Sequence, residues 1–219
     1  MLRTGMGLGE LFGEAIRIMG RYPIIILPAV IPSLWALIAP FVGLIGPAAL
    51  LTTGYYDIGV GMYIVGLLVY VLVYILLLIL SQGATAALVQ DAYQGGYVSF
   101  SDAMGEAFSR FGALFLASLL AGLMITIGSL LLVVPGLILG FFLWYVVQGI
   151  IVDDETATGA ISASFRFAGA NAGETFVVIL VAIIVTVILG FIPFVGWLLM
   201  IPTTAYFATV STLLYLERG

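Results

Sequence analysis

The stretch IGVGMYIVGLLVYVLVYILLLILSQGATAALV, residues 58–89, decides the class of this protein. It contains no charged residue, and about 20 apolar helical residues are enough to cross the hydrocarbon core of a bilayer. Its late polar residues, among them Gln82 and Thr85, indicate that the excess length projects into the cytosol. We therefore predict a membrane helix, and the rest of the chain can be judged against that prediction.

The composition of the whole chain agrees with a membrane protein. Of the 219 residues, 63% are apolar and 8% are charged, and the net charge is −5. Soluble domains are about 45–50% apolar and about 25% charged, so this chain lacks the polar residues that cover a water-soluble surface. With six basic residues against eleven acidic ones, nucleic-acid binding through a basic face is excluded.

The sequence contains neither Cys nor His, which removes disulfides, thiol nucleophiles, imidazole bases and the commonest zinc ligands. We therefore expect no catalytic residues, no cofactor and no metal site, and we expect the protein not to be an enzyme.

Six apolar stretches predict six transmembrane helices, so the expected fold is an all-α polytopic membrane protein with a single domain, residues 1–219. The first stretch begins with Pro23 and is broken up by four further prolines, so we expect a kinked helix that ends well before Leu51. Pro135 and Gly136 are expected to make the tight turn between the third and fourth spans. The six stretches are residues 23–51, 58–89, 113–134, 136–152, 175–191 and 197–216.

The arginines predict the orientation of the chain, because basic residues concentrate on the cytoplasmic side of membrane proteins. All the arginines fall on one side of the six predicted spans, in the order Arg3, Arg17, Arg21, Arg110, Arg166 and Arg218. This pattern predicts a multi-pass protein of the cytoplasmic (plasma) membrane with both termini in the cytoplasm.

Each segment on the arginine side has the pattern of an amphipathic helix lying along the membrane interface. In the first segment, Leu11 and Ala15 share a face that lacks charge. The second segment begins at Ser99, which is spaced from Asp102 as in a capping box. The third segment follows the acidic run that starts at Asp153. Three units of one interfacial helix and one hairpin would be parallel repeats, residues 7–89, 99–152 and 155–216. Alternatively, the three segments resemble one another only because amphipathic helices beside a membrane commonly contain Gly, Ala, Phe and Arg.

A motif in the second half carries a family resemblance. It consists of VPGL at 134–137, an acidic run at 153–155, and the residues Ala160, Ser164, Arg166 and Asn171. This motif resembles the membrane domain associated with prokaryotic glycerophosphodiester phosphodiesterases and their uncharacterised six-helix relatives, although the family's usual Gly-Asn is Ala170-Asn171 here. The resemblance implies a six-helix membrane module of unassigned function, and phosphodiesterase activity is not expected to transfer with it.

Neutral polar side chains are the candidates for a functional pathway, because no ionisable residue falls inside a predicted span. Tyr63, Tyr70 and Tyr74 share a face of the second span, and Gln148 lies in the fourth. Thr203, Thr204 and Tyr206 are possible partners. Ordinary hydrogen bonds between helices and a pathway for an uncharged molecule both explain these residues, and the first explanation is favoured.

The acidic run Asp153-Asp154-Glu155 has two interpretations, a divalent-cation site and the cap of the third interfacial helix, and capping is favoured. Arg166 is expected to reach a lipid phosphate, Glu106 or Glu174.

The leading functional hypothesis is a non-enzymatic membrane scaffold, lipid-interacting element or partner subunit. Its expected partners are membrane lipids and a protein partner or second copy of the chain. The alternative is a small permease or channel for an uncharged or lipid-like solute, and phosphodiester hydrolysis is disfavoured.

Overall fold

A computed structural model describes residues 6–219, except for the side chains of residues 40–46 and 51. Within residues 6–219 the chain forms helices joined by short turns, with no strand. A short 3₁₀ segment, Pro23–Ile26, connects the first two helices. The helices are α1 Leu8–Arg21, α2 Leu27–Thr52, α3 Tyr56–Gln94, α4 Phe100–Ser109, α5 Phe111–Leu131, α6 Val133–Phe142, α7 Val146–Ile151, α8 Ala157–Ala170, α9 Ala172–Gly190 and α10 Val195–Arg218.

Five helical segments in the described part of the chain are long and apolar enough to cross a membrane. They are α3, α5, the α6–α7 pair taken together, α9 and α10. The count rises to six if α1 and the helix that starts at Pro23 form one span, although these two are bent by 102° relative to each other. The predicted all-helical, multi-pass membrane protein is confirmed at this level.

Two local predictions in the spans are wrong. The helix α2 continues to Thr52 instead of ending well before Leu51. The turn between α5 and α6 lies at Leu132, where the backbone is extended, and Pro135 and Gly136 belong to the first turn of α6. A proline is tolerated there because the first N–H groups of a helix have no partner within the helix.

Gly136 is needed for close packing and not for a special backbone angle. A Cβ atom built on Gly136 would lie 2.9 Å from the Cα atom of Ser129 on α5, and one built on Gly128 would lie 3.2 Å from the Cα atom of Gly136. Two glycines therefore let α5 and α6 approach each other directly beside the turn.

The two later helices on the arginine side begin with hydroxyl caps. Ser99 is the N-cap of α4, and its Oγ accepts a hydrogen bond from the Asp102 backbone N–H at 3.4 Å, as the spacing predicts. Thr156 caps α8 by accepting from the Gly159 N–H at 3.2 Å. The prediction that an acid of the 153–155 run caps this helix is therefore wrong.

The core lies at the end of the molecule that holds α4, α7 and α8. Along α3, the residues from Ile79 to Val89 are almost all buried, whereas the apolar residues from Val60 to Ile75 are mostly exposed. α3 contacts α2, α4, α7 and α10. In its buried half Gly83 lies beside Ala107 of α4 and Ile151 of α7, and in its exposed half Tyr70 meets Trp35 of α2. Exposed apolar side chains on long spans are expected where the neighbour is lipid.

Candidate functional site

The span made by α6 and α7 is interrupted between Leu143 and Tyr145, and a side chain from α8 bridges the interruption. The Ser164 hydroxyl donates to the Phe142 carbonyl at 2.7 Å and accepts from the Tyr145 N–H at 3.0 Å. Val146 N instead reaches the carbonyl of Leu143, at 3.4 Å. Ser164 is fully buried, so its one hydroxyl satisfies two backbone groups that a continuous helix would have paired internally.

The other motif residues also support the fold around this interruption. A Cβ atom on Gly149 would lie 3.2 Å from the Cα atom of Ala160, so α7 and α8 approach closely. The Asn171 side chain donates to the Phe167 carbonyl at 3.0 Å, at the corner between α8 and α9.

Arg166 is exposed and, among the described residues, forms no ion pair with Glu106, Glu174 or any other acid.

An aromatic cluster closes the arginine-side end of this region. The ring of Tyr145, which is fully buried, meets Phe167 edge to face at 4.6 Å between centroids, and Phe167 lies 4.6 Å from Tyr215. The Tyr145 hydroxyl shares a hydrogen bond with Thr175, and the Tyr215 hydroxyl donates to the Asp153 carboxylate. These contacts join α7, α8, α9 and α10 into one packed unit.

A cavity of about 320 Å³ lies between α3, the interrupted α6–α7 span, α9 and α10. This volume is within the range of small-molecule sites. Most of its polar wall comes from amides and hydroxyls, and among the described residues no ionisable side chain lines it. The lining residues are Gln82, Trp144, Val147, Gln148, Ala182, Thr186, Met200, Thr203, Thr204, Phe207, Ala208 and Ser211.

Gln148 lines the cavity, and its side-chain oxygen is buried without a hydrogen-bond partner among the described residues. Its side chain is 5% exposed, its Nε2 donates to Thr212 Oγ1 at 3.4 Å, and its Oε1 has no hydrogen-bond partner. The Thr212 hydroxyl donates its own proton to the Ala208 carbonyl at 2.9 Å. In this arrangement Thr212 accepts from Gln148 Nε2, and Oε1 is left unpaired.

The hydroxyl of Ser211, the residue before Thr212 on α10, is a second hydrogen-bonding group at the cavity. Ser211 Oγ accepts from Trp144 Nε1 at 2.9 Å, and no acceptor for the Ser211 proton is present in the described structure. Thr203 and Thr204 have already donated their protons to carbonyls of their own helix, at 2.7 and 2.8 Å. The Ser211 hydroxyl is thus the donor that this wall of the cavity offers, without a charge.

An apolar groove adjoins the polar cavity. Its volume is about 690 Å³, and it runs beneath α1 along α9 and α10. Thr203 and Phe207 line both spaces, so the two are adjacent. Tyr206, predicted as a partner of the polar pathway, lies on the groove, where its hydroxyl donates to the Phe12 carbonyl at 3.1 Å. The groove is lined by Phe12, Ile16, Met19, Gly20, Ile26, Val181, Val185, Pro202, Thr203, Tyr206 and Phe207.

The three predicted tyrosines lie elsewhere. Tyr70 and Tyr74 stack on one face of α3, with centroids 6.3 Å apart, and Trp35 of α2 stacks on Tyr70 and donates to its carbonyl at 3.2 Å. Tyr63 is 44% exposed, further along α3. The structure therefore brings Gln148, Thr203 and Thr204 together and keeps the tyrosines apart from them.

Residues of the site that the sequence interpretation missed are Gln82, Trp144, Ser211 and Thr212. A signal for part of the set was present, because Thr204, Ala208 and Ser211 are spaced by four and three residues and so share a face of α10.

Two of the three acidic residues at 153–155 bind neighbouring side chains. Asp154 pairs with Arg110, and Asp153 accepts from Tyr215. No group of three potential metal-binding side chains occurs in the part of the chain that the structure describes. Arg110 also donates to the Ile150 carbonyl at 2.8 Å and lies 3.4 Å from Glu106, so it joins the α4–α5 junction to the end of α7.

Glu106, outside the spans, has a perturbed acidity. Burial raises the pKa of its carboxyl group; Arg110 lowers it, and the Asp91 and Asp154 carboxylates raise it again. The net result is a pKa above the ordinary value.

Comparisons of the chain with protein-family models, with curated proteins and with solved structures found no match. The function therefore has to be argued from the geometry of the cavity and groove.

Proposed function

We propose that this chain is a non-enzymatic membrane protein that binds an uncharged, lipid-like molecule. The observation that carries the proposal is a neutral polar cavity beside an apolar groove, with Thr203 and Phe207 lining both. A lipid has a polar head and an apolar chain. The polar cavity suits the head, and the apolar groove suits the chain. A charged head is disfavoured, since no ionisable side chain lines the cavity to offset its desolvation.

Lipid retention tests this proposal. Val185 lines the groove, whereas Val187 on the same helix is 52% exposed. Val185→Trp fills the groove and should release the lipid that co-purifies in mild detergent, whereas Val187→Trp should retain it. Native mass spectrometry measures the bound mass. A folded, lipid-free parent protein, or equal retention by both variants, would contradict the proposal.

We infer six spans arranged as three hairpins, α2–α3, α5 with α6–α7, and α9–α10, with interfacial helices and both termini in the cytoplasm of a prokaryotic cell. The 102° bend after α1 supports an interfacial position for that helix. The arginine contacts support a common side: Arg218 reaches the Met6 carbonyl and Glu174, and Arg110 reaches Asp154. Arg3 lies outside the described residues. The division into three repeats and the family resemblance remain predictions.

The absence of Cys from the sequence makes the topology directly testable. Single cysteines at Ser109 and at Thr53, both exposed positions, lie on opposite predicted sides. In intact cells a membrane-impermeant thiol reagent should label Thr53→Cys and leave Ser109→Cys unlabelled. Labelling of Ser109→Cys in intact cells would contradict cytoplasmic termini.

A permease for small uncharged solutes is the second candidate, and one observation favours it. The interruption of the α6–α7 span places Trp144 and Gln148 in the wall of a cavity within the bundle, as interrupted spans do in transporters. Proteoliposomes containing the protein would then swell faster in glycerol than protein-free vesicles, and Gln148→Met would change that rate. Equal rates with and without protein would remove this candidate.

A further inference from the structure

A third cavity, of about 490 Å³, lies on the arginine side, between α1 and the ends of α3 and α10. Among the described residues, none that lines it also lines the polar cavity or the apolar groove. Helix α1 separates it from the groove, because Ile16 and Met19 line the groove. Arg17 and Arg21 of the same helix line the third cavity, which we call the arginine cavity.

The walls of the arginine cavity carry both signs of charge. Glu14, Arg17 and Arg21 come from α1, and Glu217 comes from the end of α10. Arg17 forms an ion pair with Glu14, one turn earlier in the helix. Within the part of the chain that the structure describes, neither Arg21 nor Glu217 forms an ion pair. The cavity therefore presents one unpaired cation on the α1 wall and one unpaired anion on the α10 wall.

Local contacts hold these two charged groups and leave them able to bind a ligand. The Arg21 guanidinium lies over the Tyr22 ring, 5.4 Å from its centroid. A contact through the face of a guanidinium leaves its N–H groups, which lie in the plane, able to donate. Glu217 Oε1 accepts from the Tyr93 hydroxyl, and a carboxylate has a second oxygen with which to accept. One wall can thus donate to an anion and the other can accept from a cation.

The arginine cavity lies where the chain turns toward the first span. Arg21 is the last residue of α1, and the helix that starts at Pro23 is bent by 102° relative to α1. Arginine side chains at the end of a membrane helix extend to the interface, where the phosphates of lipids lie. A phosphate is therefore the anion that we expect at Arg21.

We propose that the arginine cavity binds a phosphoethanolamine group, whose phosphate accepts from Arg21 and whose ammonium donates to Glu217. This site is separate from the proposed site for an uncharged lipid and does not depend on it. A phosphate without an amine leaves Glu217 unpaired and adds negative charge to a wall that has two carboxylates. A phosphocholine group has the positive charge but no N–H to donate to the carboxylate. The group is the head of a phospholipid or part of a soluble ester, and the position at the start of a span favours the phospholipid.

Native mass spectrometry of the delipidated full-length protein in mild detergent tests the site. The probes are phosphatidylethanolamine, phosphatidylcholine and phosphatidylglycerol with identical acyl chains. We expect phosphatidylethanolamine to bind about fivefold more tightly than either of the others, the scale of one partly exposed charge pair. Soluble phosphoethanolamine, added as a competitor, identifies the source of the group. Displacement of the lipid at equal concentration assigns the site to a soluble ester, and resistance to an excess assigns it to a phospholipid.

Three variants connect this preference to the two unpaired charges. Arg21→Gln should weaken binding of phosphatidylethanolamine about fivefold. Arg166→Gln, the matched control, changes another exposed arginine that does not line the cavity and should leave binding unchanged. Glu217→Gln keeps an oxygen that accepts from Tyr93 and removes the negative charge. It should abolish the preference for phosphatidylethanolamine over phosphatidylcholine.

Equal affinity of the parent protein for the three lipids would overturn the inference, and so would a preference that survives Glu217→Gln. Equal weakening by Arg21→Gln and Arg166→Gln would also overturn it, because the effect would then be one of overall charge. The comparison of the three lipids uses the parent protein and does not depend on how the variants fold. Val185→Trp changes the groove and not the arginine cavity, so a failure of the proposed function leaves this preference intact.

Discussion

The substitution Gln148→Met separates a binding role for this residue from a structural one. The side chain is buried, with an unpaired Oε1 and one long hydrogen bond, 3.4 Å, from Nε2 to Thr212. A buried unpaired polar group costs about 1–3 kcal/mol, and a typical hydrogen bond contributes about 0.5–1.5 kcal/mol. Met has a similar volume and needs no partner. The free energy of unfolding of the ligand-free protein should therefore rise by about 0.5–1.5 kcal/mol.

The assay is thermal unfolding of delipidated protein in mild detergent. A rise of about 2–4 °C in Tm per kcal/mol is the scale for a chain of this length. Gln82→Met is the matched control, since Gln82 lines the same cavity but is only half-buried, and its Tm should change little. A decrease in Tm for Gln148→Met equivalent to about 1 kcal/mol or more would refute the reasoning, because it would mean that Oε1 is satisfied in the ligand-free protein.

Three further outcomes can be measured by the same unfolding assay. Ser164→Ala leaves the Tyr145 N–H and the Phe142 carbonyl unpaired and should destabilise the protein by about 2–4 kcal/mol, whereas Ser162→Ala should have an effect within about 0.5 kcal/mol; equal effects would contradict the bridging role. Gly136→Ala should lower Tm because its Cβ would overlap Ser129, while Gly140→Ala, with open space around it, should not; equal Tm values would contradict the close approach of α5 and α6. Because the pKa of Glu106 is raised in the folded protein, its contribution to stability should increase as pH falls toward the ordinary glutamate value, and Glu106→Gln should remove that part of the pH dependence; an unchanged pH profile would contradict the shift.

The spans were predictable because they follow from local composition. A segment such as residues 58–89, with no charge, has no alternative to lipid or a buried core, whatever its neighbours are. The cap at Ser99 was predictable for the same reason, since the cap and the backbone N–H that donates to it are three residues apart. Interactions that lie within one turn of helix leave their signal in the local sequence.

The errors occurred where a local rule had two outcomes and tertiary contacts chose between them. Proline ends a helix or occupies its first turn, and Pro135 does the second because the chain turns at Leu132. An acid beside a helix caps it or pairs with a distant base, and Asp154 pairs with Arg110, 44 residues away in sequence. The shared face of Tyr70 and Tyr74 was correct, but its neighbour is Trp35 of α2 and not Gln148.

The motif residues Ser164 and Ala160 support the cavity from outside. Ser164 and Ala160 do not line it; they hold the interruption of the α6–α7 span and the close approach of α7 to α8. Trp144 falls within the interruption and Gln148 follows four residues later, and both bind neighbouring residues of α10. The position of the interruption thus determines which side chains face α10. Ser164→Ala should for this reason shift the fluorescence emission of Trp144 in a variant that lacks Trp35 and Trp197, although Ser164 does not line the cavity. An unchanged emission spectrum in a folded Ser164→Ala protein would show that α10 alone organises the cavity.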